Sequence, residues 1–218
     1  MQKLNVDNRD YSHAYSYNEI RMEYPIISKW IEPNSKVIDL GCGDGALLQS
    51  LKQKKNISEV GLDVSEKAIE LCRQKNVNAF CASIDSKLEF EDNSFDYSIC
   101  NVTIQMVKYP EILLFEMKRI SKYQIISFPN FAFYKNRFEL LFKGRMPTRM
   151  LYNYSWYNTG HIHQLSIIDF KYLVSNIGGI RIKELDFYKS GNVLKNYLME
   201  TFPNLFLQIP IYLLSKYD

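Results

Sequence analysis

The sequence is short of the features that would place it in a special class. No apolar run approaches the roughly 20 residues that a membrane-spanning helix needs. The most apolar stretch, Leu205 to Leu214, is broken by Gln208 and Pro210 and reads as a buried strand. Four cysteines at 42, 72, 81 and 100 form no CxxC pair and no short disulfide framework. No metal site is therefore expected, and the thiols read as free and buried in a reducing compartment. Charge of one sign is also scarce: 27 Lys and Arg face 24 Asp and Glu, a net +3 too small to force a nucleic-acid partner. The first 20 residues are polar and lack the apolar core of a signal peptide, so a cytoplasmic protein is expected. What is present is an ordinary globular composition, 46% hydrophobic and 23% charged over 218 residues. A chain of this size buries about 70% of its unfolded surface, enough for one domain without staples.

From Lys36 to Pro129, short β-rich runs alternate with helical stretches, the pattern of βαβ units in a parallel sheet. Strands are read at KVIDLGC, EVGLDV, Phe80 to Ser83, FDYSIC and YQIISFP. Helices are read from Gly45 to Lys54, after Ser65 as N-cap with Ala68, Ile69 and Cys72 as apolar stripe, and from Pro110. A leading helix spans Tyr17 to Ile31 and is expected over the carboxyl edge of the sheet. After Pro129 comes an aromatic and basic stretch, Phe131 to Tyr157, then a helix from Ile167 to Ser175. Two closing strands, Ile180 to Tyr188 and Phe206 to Tyr217, form a hairpin-like pair at one sheet edge. The single domain thus divides into a helical lid (1–31), a cofactor-binding core (32–129), a substrate-shaping insertion (130–165), and a closing helix with edge strands (166–218).

The most informative residues are Asp39-Leu40-Gly41-Cys42-Gly43-Asp44-Gly45, at the turn from the first strand into the first crossover helix. Open parallel sheets bind ligands there. Gly41, Gly43 and Ala46 also satisfy the dinucleotide fingerprint, and charge separates the two cofactors. A pyrophosphate would be repelled by Asp39 and Asp44. S-Adenosylmethionine has no phosphate; it presents an ammonium and a sulfonium that carboxylates favour, and a carboxylate that free backbone N–H groups accept. Asp63, ending the second strand, is placed for the ribose hydroxyls, a feature shared with NAD sites. Asp85 is placed for the adenine amino group or is a plain turn residue, and Asn101 lines the same crevice. Cys42, Gly45, Val64 and Ile84 complete the expected cofactor contacts.

The DLGCGDG loop, Asp63 and FDYSICN resemble class I S-adenosylmethionine-dependent methyltransferases over at least Lys36 to Pro129. The fragments SFPNF (Ser127 to Phe131), GRMP (Gly144 to Pro147) and WYNTGHIHQLSIIDF (Trp156 to Phe170) resemble the MetW-like branch of that class. The resemblance implies an α/β, three-layer Rossmann-like sheet of seven strands with helices on both faces, plus the aromatic and basic insertion after the fifth strand. It also implies S-adenosyl-L-methionine as cofactor and S-adenosyl-L-homocysteine as product.

Methyl transfer from a sulfonium needs an aimed nucleophile and a dry site, with no covalent intermediate. For a hydroxyl acceptor the candidate bases are His161 and His163; each is also a candidate for a structural hydrogen bond. An anionic acceptor needs cations instead. Lys135, Arg137, Lys143, Arg145 and Arg149 stand against one Glu139 in that segment, with Arg145 the expected inward guanidinium. Tyr11, Tyr15, Tyr17 and Arg21 are expected to close as a lid, and Gln105, Asn130 and Trp156 to contact the acceptor. A small metabolite acceptor is expected, such as a phosphorylated or surface-polysaccharide precursor. RNA stacked on Phe131, Phe133, Tyr134, Trp156 and Tyr157 is a weaker alternative. The family resemblance supplies another: a regulatory partner of a homoserine acyltransferase in methionine synthesis.

Overall fold

The computed structural model describes residues 21–148, 155–157 and 159–217. Tyr11, Tyr15, Tyr17 and Arg149 lie outside them. Seven strands form one sheet: β1 (Lys36–Leu40), β2 (Ser58–Asp63), β3 (Ala79–Cys81), β4 (Phe95–Asn101), β5 (Ser121–Ser127), β6 (Ile180–Asp186) and β7 (Ile211–Lys216). Their order is β3-β2-β1-β4-β5-β7-β6. The first five are mutually parallel, and β7 runs antiparallel to both β5 and β6. The eight helices of the described residues are α1 (Glu23–Trp30), α2 (Ala46–Lys55), α3 (Glu66–Gln74), α4 (Pro110–Ile120), α5 (Tyr134–Lys143), α6 (Ile167–Ile177), α7 (Val193–Thr201) and α8 (Pro203–Phe206).

Strand alternation assigns the two faces. Ile38 and Leu40 pack with Leu113, Met117, Phe170 and Val174, under α4 and α6. Val37 packs with Ile27, Trp30, Leu48 and Ile69, under α1, α2 and α3. The result is the expected three-layer sandwich. Ser65 caps α3, accepting from the Ala68 amide, and Ala68, Ile69 and Cys72 are buried as the stripe requires.

The closing strands form the expected antiparallel pair at one sheet edge, with β7 bonded to both β5 and β6 and β6 outermost. Three other expectations need correction. The segment read as a strand from Phe206 begins as α8 and becomes extended only at Ile211, because Pro203 opens a helical turn and Pro210 fixes the break. Of the four cysteines, Cys81 is exposed, since the short edge strand β3 leaves one side uncovered. The aromatic and basic stretch contains α5, which buries only Asn136. Finally, α1 lies on a sheet face rather than across the carboxyl edge, with its first turn reaching that edge.

Candidate functional site

The site grows from the end of β1. Asp39 shares the face of Val37, so its carboxyl points toward the first turn of α1. It is 3% exposed, and its Oδ1 has no hydrogen-bond partner among the described residues. Burial, reinforced by the nearby Asp63 charge and opposed by Arg21, pushes its pKa up to about 7. Tyr24, on α1, looks onto the same spot; burial raises its phenol pKa, with Asp39 and Asp44 adding to the rise against Arg21.

The loop that follows is built by glycine. Gly41, Gly43 and Gly45 all have positive φ, +88°, +54° and +74°. At Gly41 even the space is missing, since a Cβ would fall 2.7 Å from Thr103 Oγ1. Asp63 Oδ2 accepts from the Gly43 amide at 3.0 Å, and its Oδ1 from the Ser65 amide at 2.9 Å. The carboxylate is thereby fixed at the lip of the loop. Behind the loop, Cys72 Sγ donates to the Gly43 carbonyl at 3.2 Å and lies 4.0 Å from Cys42 Sγ. The hydrogen bond between the thiols lowers the Cys72 pKa and, with burial, raises that of Cys42.

Asp44 departs from the reading of two carboxylates bracketing the cofactor. It pairs with Lys75 and accepts from the Ala46 amide at 3.2 Å, so its charge is already compensated. Asp39 and Asp63, at the ends of adjacent strands, are the carboxyls that act on one another here. Val64 is 46% exposed beside Asp63, and Ile84 is a core residue. Asp85 Oδ1 accepts from the Lys108 amide at 2.6 Å, which ties the loop after β3 to the one after β4.

At the end of β4, Asn101 Oδ1 accepts from Ser127 Oγ of β5 at 2.5 Å. Val102 then takes φ +54°, a conformation that a β-branched residue rarely adopts outside strained sites. Gln105, fully buried, secures it by donating Nε2 to the Val102 carbonyl at 2.8 Å. The Gln105 backbone carbonyl receives both the Ile162 and the His163 amides at 3.0 Å. This brings the histidine segment to the edge of β4. His161 is buried, and burial lowers its pKa to about 4. His163 Nε2 and Gln105 Oε1 are buried without partners among the described residues.

Other expected acceptor contacts are elsewhere. Arg145 pairs with Glu139 at 3.4 Å on the outer side of α5, its side chain 65% exposed. It follows Gly144, the C-cap of α5, and faces solvent there. Arg137 donates Nε to the Ala132 carbonyl at 2.6 Å. Asn130 is fully buried and bonds the Asn204 and Leu207 carbonyls, a scaffold role that docks α8. Trp156 is 71% exposed against Tyr157.

The open space lies beyond β5. Across the carboxyl edge, Asn101 pairs with Ser127 and Ser127 with Ile211, so one row leads from β4 to the start of β7. Ile211 lines a cavity of about 830 Å³ whose cations are Arg21, Lys135 and Lys195. Arg21 is paired with Glu23 at 3.3 Å. Because Arg21 also acts electrostatically on Asp39, the cavity and the cofactor crevice adjoin. Of these cations the sequence pointed to Arg21 and, within the basic stretch, to Lys135; Lys195 sits on a helix that its pattern did not reveal. Tyr24 and Thr103 carried no motif signal at all.

These residues fit S-adenosylmethionine: a buried carboxylate oxygen lacking a partner suits an ammonium, a glycine cradle admits the ligand against backbone, and Asp63, ending the adjacent strand, suits ribose hydroxyls. No group of three or more His, Cys, Asp or Glu able to hold a metal occurs among the described residues. No helix among them is long and apolar enough to cross a membrane.

The comparisons agree with this geometry. The chain superposes with a TM-score of 0.66 on a structure of the Haloferax volcanii Trm112 methyltransferase activator in complex with a methyltransferase, at 16% identity and covering 90% of each chain. It superposes with a TM-score of 0.63 on a Thermotoga maritima SAM-dependent methyltransferase, at 18% identity and covering 90% of this chain and 88% of that one. The fold is that of these enzymes. In sequence, it is 29% identical over 165 residues to the bifunctional methionine biosynthesis protein MetXA/MetW of Rhodopirellula baltica, covering 71% of this chain but 26% of that protein. It is 34% identical over 90 residues to the carboxy-S-adenosyl-L-methionine synthase of Campylobacter fetus, covering 38% of this chain and 37% of that one. The family model for methionine biosynthesis protein MetW matches residues 21–214, and with the glycine loop, the sheet order and the GHIHQ segment all in place, the chain belongs to the MetW family.

Proposed function

We propose that this chain is a methyltransferase acting on a small anionic or hydroxylated metabolite, most simply by O-methylation. Its cofactor is S-adenosylmethionine, which when bound supplies an electrophilic methyl group. The observation that carries the reading is Asp39: a buried carboxylate oxygen without a partner, at the mouth of a glycine loop, calls for a cation. Asp63 orients the ligand, Gly41 and Gly43 allow the backbone to approach it, and Thr103 walls the loop. Arg21, Lys135 and Lys195 supply the positive wall for an anionic acceptor. The low pKa of His161 keeps its imidazole neutral and weakly basic near pH 7, which favours an acceptor that arrives already ionised.

Calorimetry with S-adenosylmethionine, S-adenosylhomocysteine and NAD tests the site. The two sulfur ligands should bind and NAD should not; heat from NAD alone would overturn the reading. Asp63→Ala should weaken the sulfur ligands by about tenfold or more, the cost of a lost hydrogen bond to a charged group.

One observation favours a second reading. The Rhodopirellula relative is named as a bifunctional MetXA/MetW protein, so a chain like this one also suits a regulatory partner of a homoserine acyltransferase. Co-purification with such an enzyme, together with cofactor binding but no turnover on any acceptor, would support it.

A further inference from the structure

The cavity beside the cofactor crevice has walls of two kinds. Phe133, Phe187, Leu198, Phe206 and Ile209 make one side apolar. The same cavity is lined by Lys135 and Lys195, neither of which has an acidic partner among the described residues, and by Arg21 with its Glu23. A third feature adds to the cations. The nine-residue helix α7 starts at this cavity: its N-cap Asn192, with Leu194 and Lys195 in its first turn, lines the space, so the positive end of the helix dipole faces it. The volume, about 830 Å³, lies toward the upper end of the range for small-molecule sites. A compact polar metabolite would leave the apolar wall wet. Leu194 and Tyr188, 68% and 55% exposed on the rim, would stay uncovered as well.

Resting on the methyltransferase reading above, we infer that the acceptor is an amphiphilic anion. Its carboxylate or phosphoryl head lies against Lys195, Lys135 and the start of α7, and its apolar chain or ring system lies along Phe133, Leu198 and Phe206. The head group neutralises two cations that nothing else in the described structure balances. The apolar body removes from water the half-buried Leu198, Phe206 and Ile209 and the exposed Leu194, over a floor made by the buried Phe133 and Phe187. Three elements, the start of α5 through its N-cap Phe133, α7 and α8, converge on this arrangement. A purely polar ligand would use only the first turn of α7.

The test is a binding series on the S-adenosylhomocysteine-loaded protein. The probes are butanoate, hexanoate and octanoate below their aggregation limits, octyl phosphate, octanol and glycerol 3-phosphate. Affinity should rise about threefold to fourfold per added methylene, the value expected for burying one CH₂. Octanol should bind at least tenfold more weakly than octanoate. Octyl phosphate against octanoate shows which head group is preferred. Lys195→Gln should cost about tenfold for every anion, and Leu198→Asp should flatten the dependence on chain length, while S-adenosylhomocysteine affinity stays at the wild-type value in both. Retained affinity for that ligand also shows that the variants fold. Chain-length-independent binding, or glycerol 3-phosphate binding more tightly than octyl phosphate, would overturn the inference and leave the methyltransferase reading intact. Failure of the wild-type protein to bind S-adenosylhomocysteine would overturn that reading itself.

Discussion

Gln105 holds Val102: its side-chain Nε2 donates to the Val102 carbonyl at 2.8 Å, and Val102 has a φ of +54°. A β-branched residue there costs on the order of 1–3 kcal/mol and persists only where its surroundings insist. Removing the clamp should therefore let the loop relax. Gln105→Ala is expected to lower stability by about 1–3 kcal/mol through the unsatisfied carbonyl and to weaken cofactor binding. Val102→Gly in the same background should recover part of the binding, which denaturant melts and calorimetry on the double variant would check. No recovery would mean that Val102 is not the strained element.

Gly41 has neither the dihedral nor the room for a side chain. A Cβ there would meet Thr103 Oγ1 at 2.7 Å and would carry a φ of +88°. Gly41→Ala should cost about 2–4 kcal/mol, overpacking and left-handed strain together, and cofactor affinity should fall with it. Adding Thr103→Ser, which removes the crowding methyl, should restore some stability but not all, because the dihedral penalty remains.

Asp39 makes the stability of the cofactor-free protein depend on pH. Its folded pKa, about 7, stands above its ordinary value of 3.8. A group raised in this way stabilises the fold fully below the ordinary value and loses that contribution as pH rises through the folded one. The cofactor-free melting temperature should therefore fall between pH 4 and pH 7, beyond any background trend, and Asp39→Asn should flatten the fall. Cofactor binding has the opposite sign: the ionised carboxyl is the form that holds an ammonium, so affinity should increase through pH 7. In Asp39→Asn that increase should vanish, with affinity about 10–100-fold lower at pH 8, the range for losing a charged hydrogen bond.

At the opposite edge of the sheet, Arg119 ties together Glu116, Asp92 and the Leu88 and Phe90 carbonyls. The guanidinium bonded to Glu116 lowers that carboxyl's pKa and raises that of Arg119 itself. Glu116 is 3% exposed. Arg119→Met would strand it, at a cost of about 3–5 kcal/mol. Cofactor affinity should be unchanged once the protein is folded, a pattern that separates scaffold from site. Equal losses in both would place this network in the binding machinery.

The contrast between the two halves of the chain explains what could be read from sequence. From β1 to β5 each strand except the edge strand β3 is buried on both faces and the crossover helices carry apolar stripes, so Ile38, Val37, Ala68 and Leu113 announce their own surroundings. The cofactor end followed from the same logic, with Asp39, Gly41 and Asp63 at strand ends. The acceptor end was not legible. α7 exposes Val193, Leu194 and Tyr197 and buries only Met199, so no helical stripe marks it. α8 is four residues long, inside an apolar run that suits a strand equally well. Arg145 was chosen for its neighbours in sequence; its direction is set by α5 and by Glu139, which only the fold reveals. The ion pair of Asp44 with Lys75, 31 positions along the chain, is likewise set by the fold.

Because β7 enters the sheet against the direction of its neighbours, Ile211 arrives at the same rim as Arg21, and a recess is closed by opposite ends of the described chain. A ribosome would release every ligand of the glycine cradle long before it released that final strand. Tyr212 and Leu214 of that strand are fully buried, Tyr212 against Phe128 and Phe170, so a premature stop after α6 would leave the core beneath the cradle open.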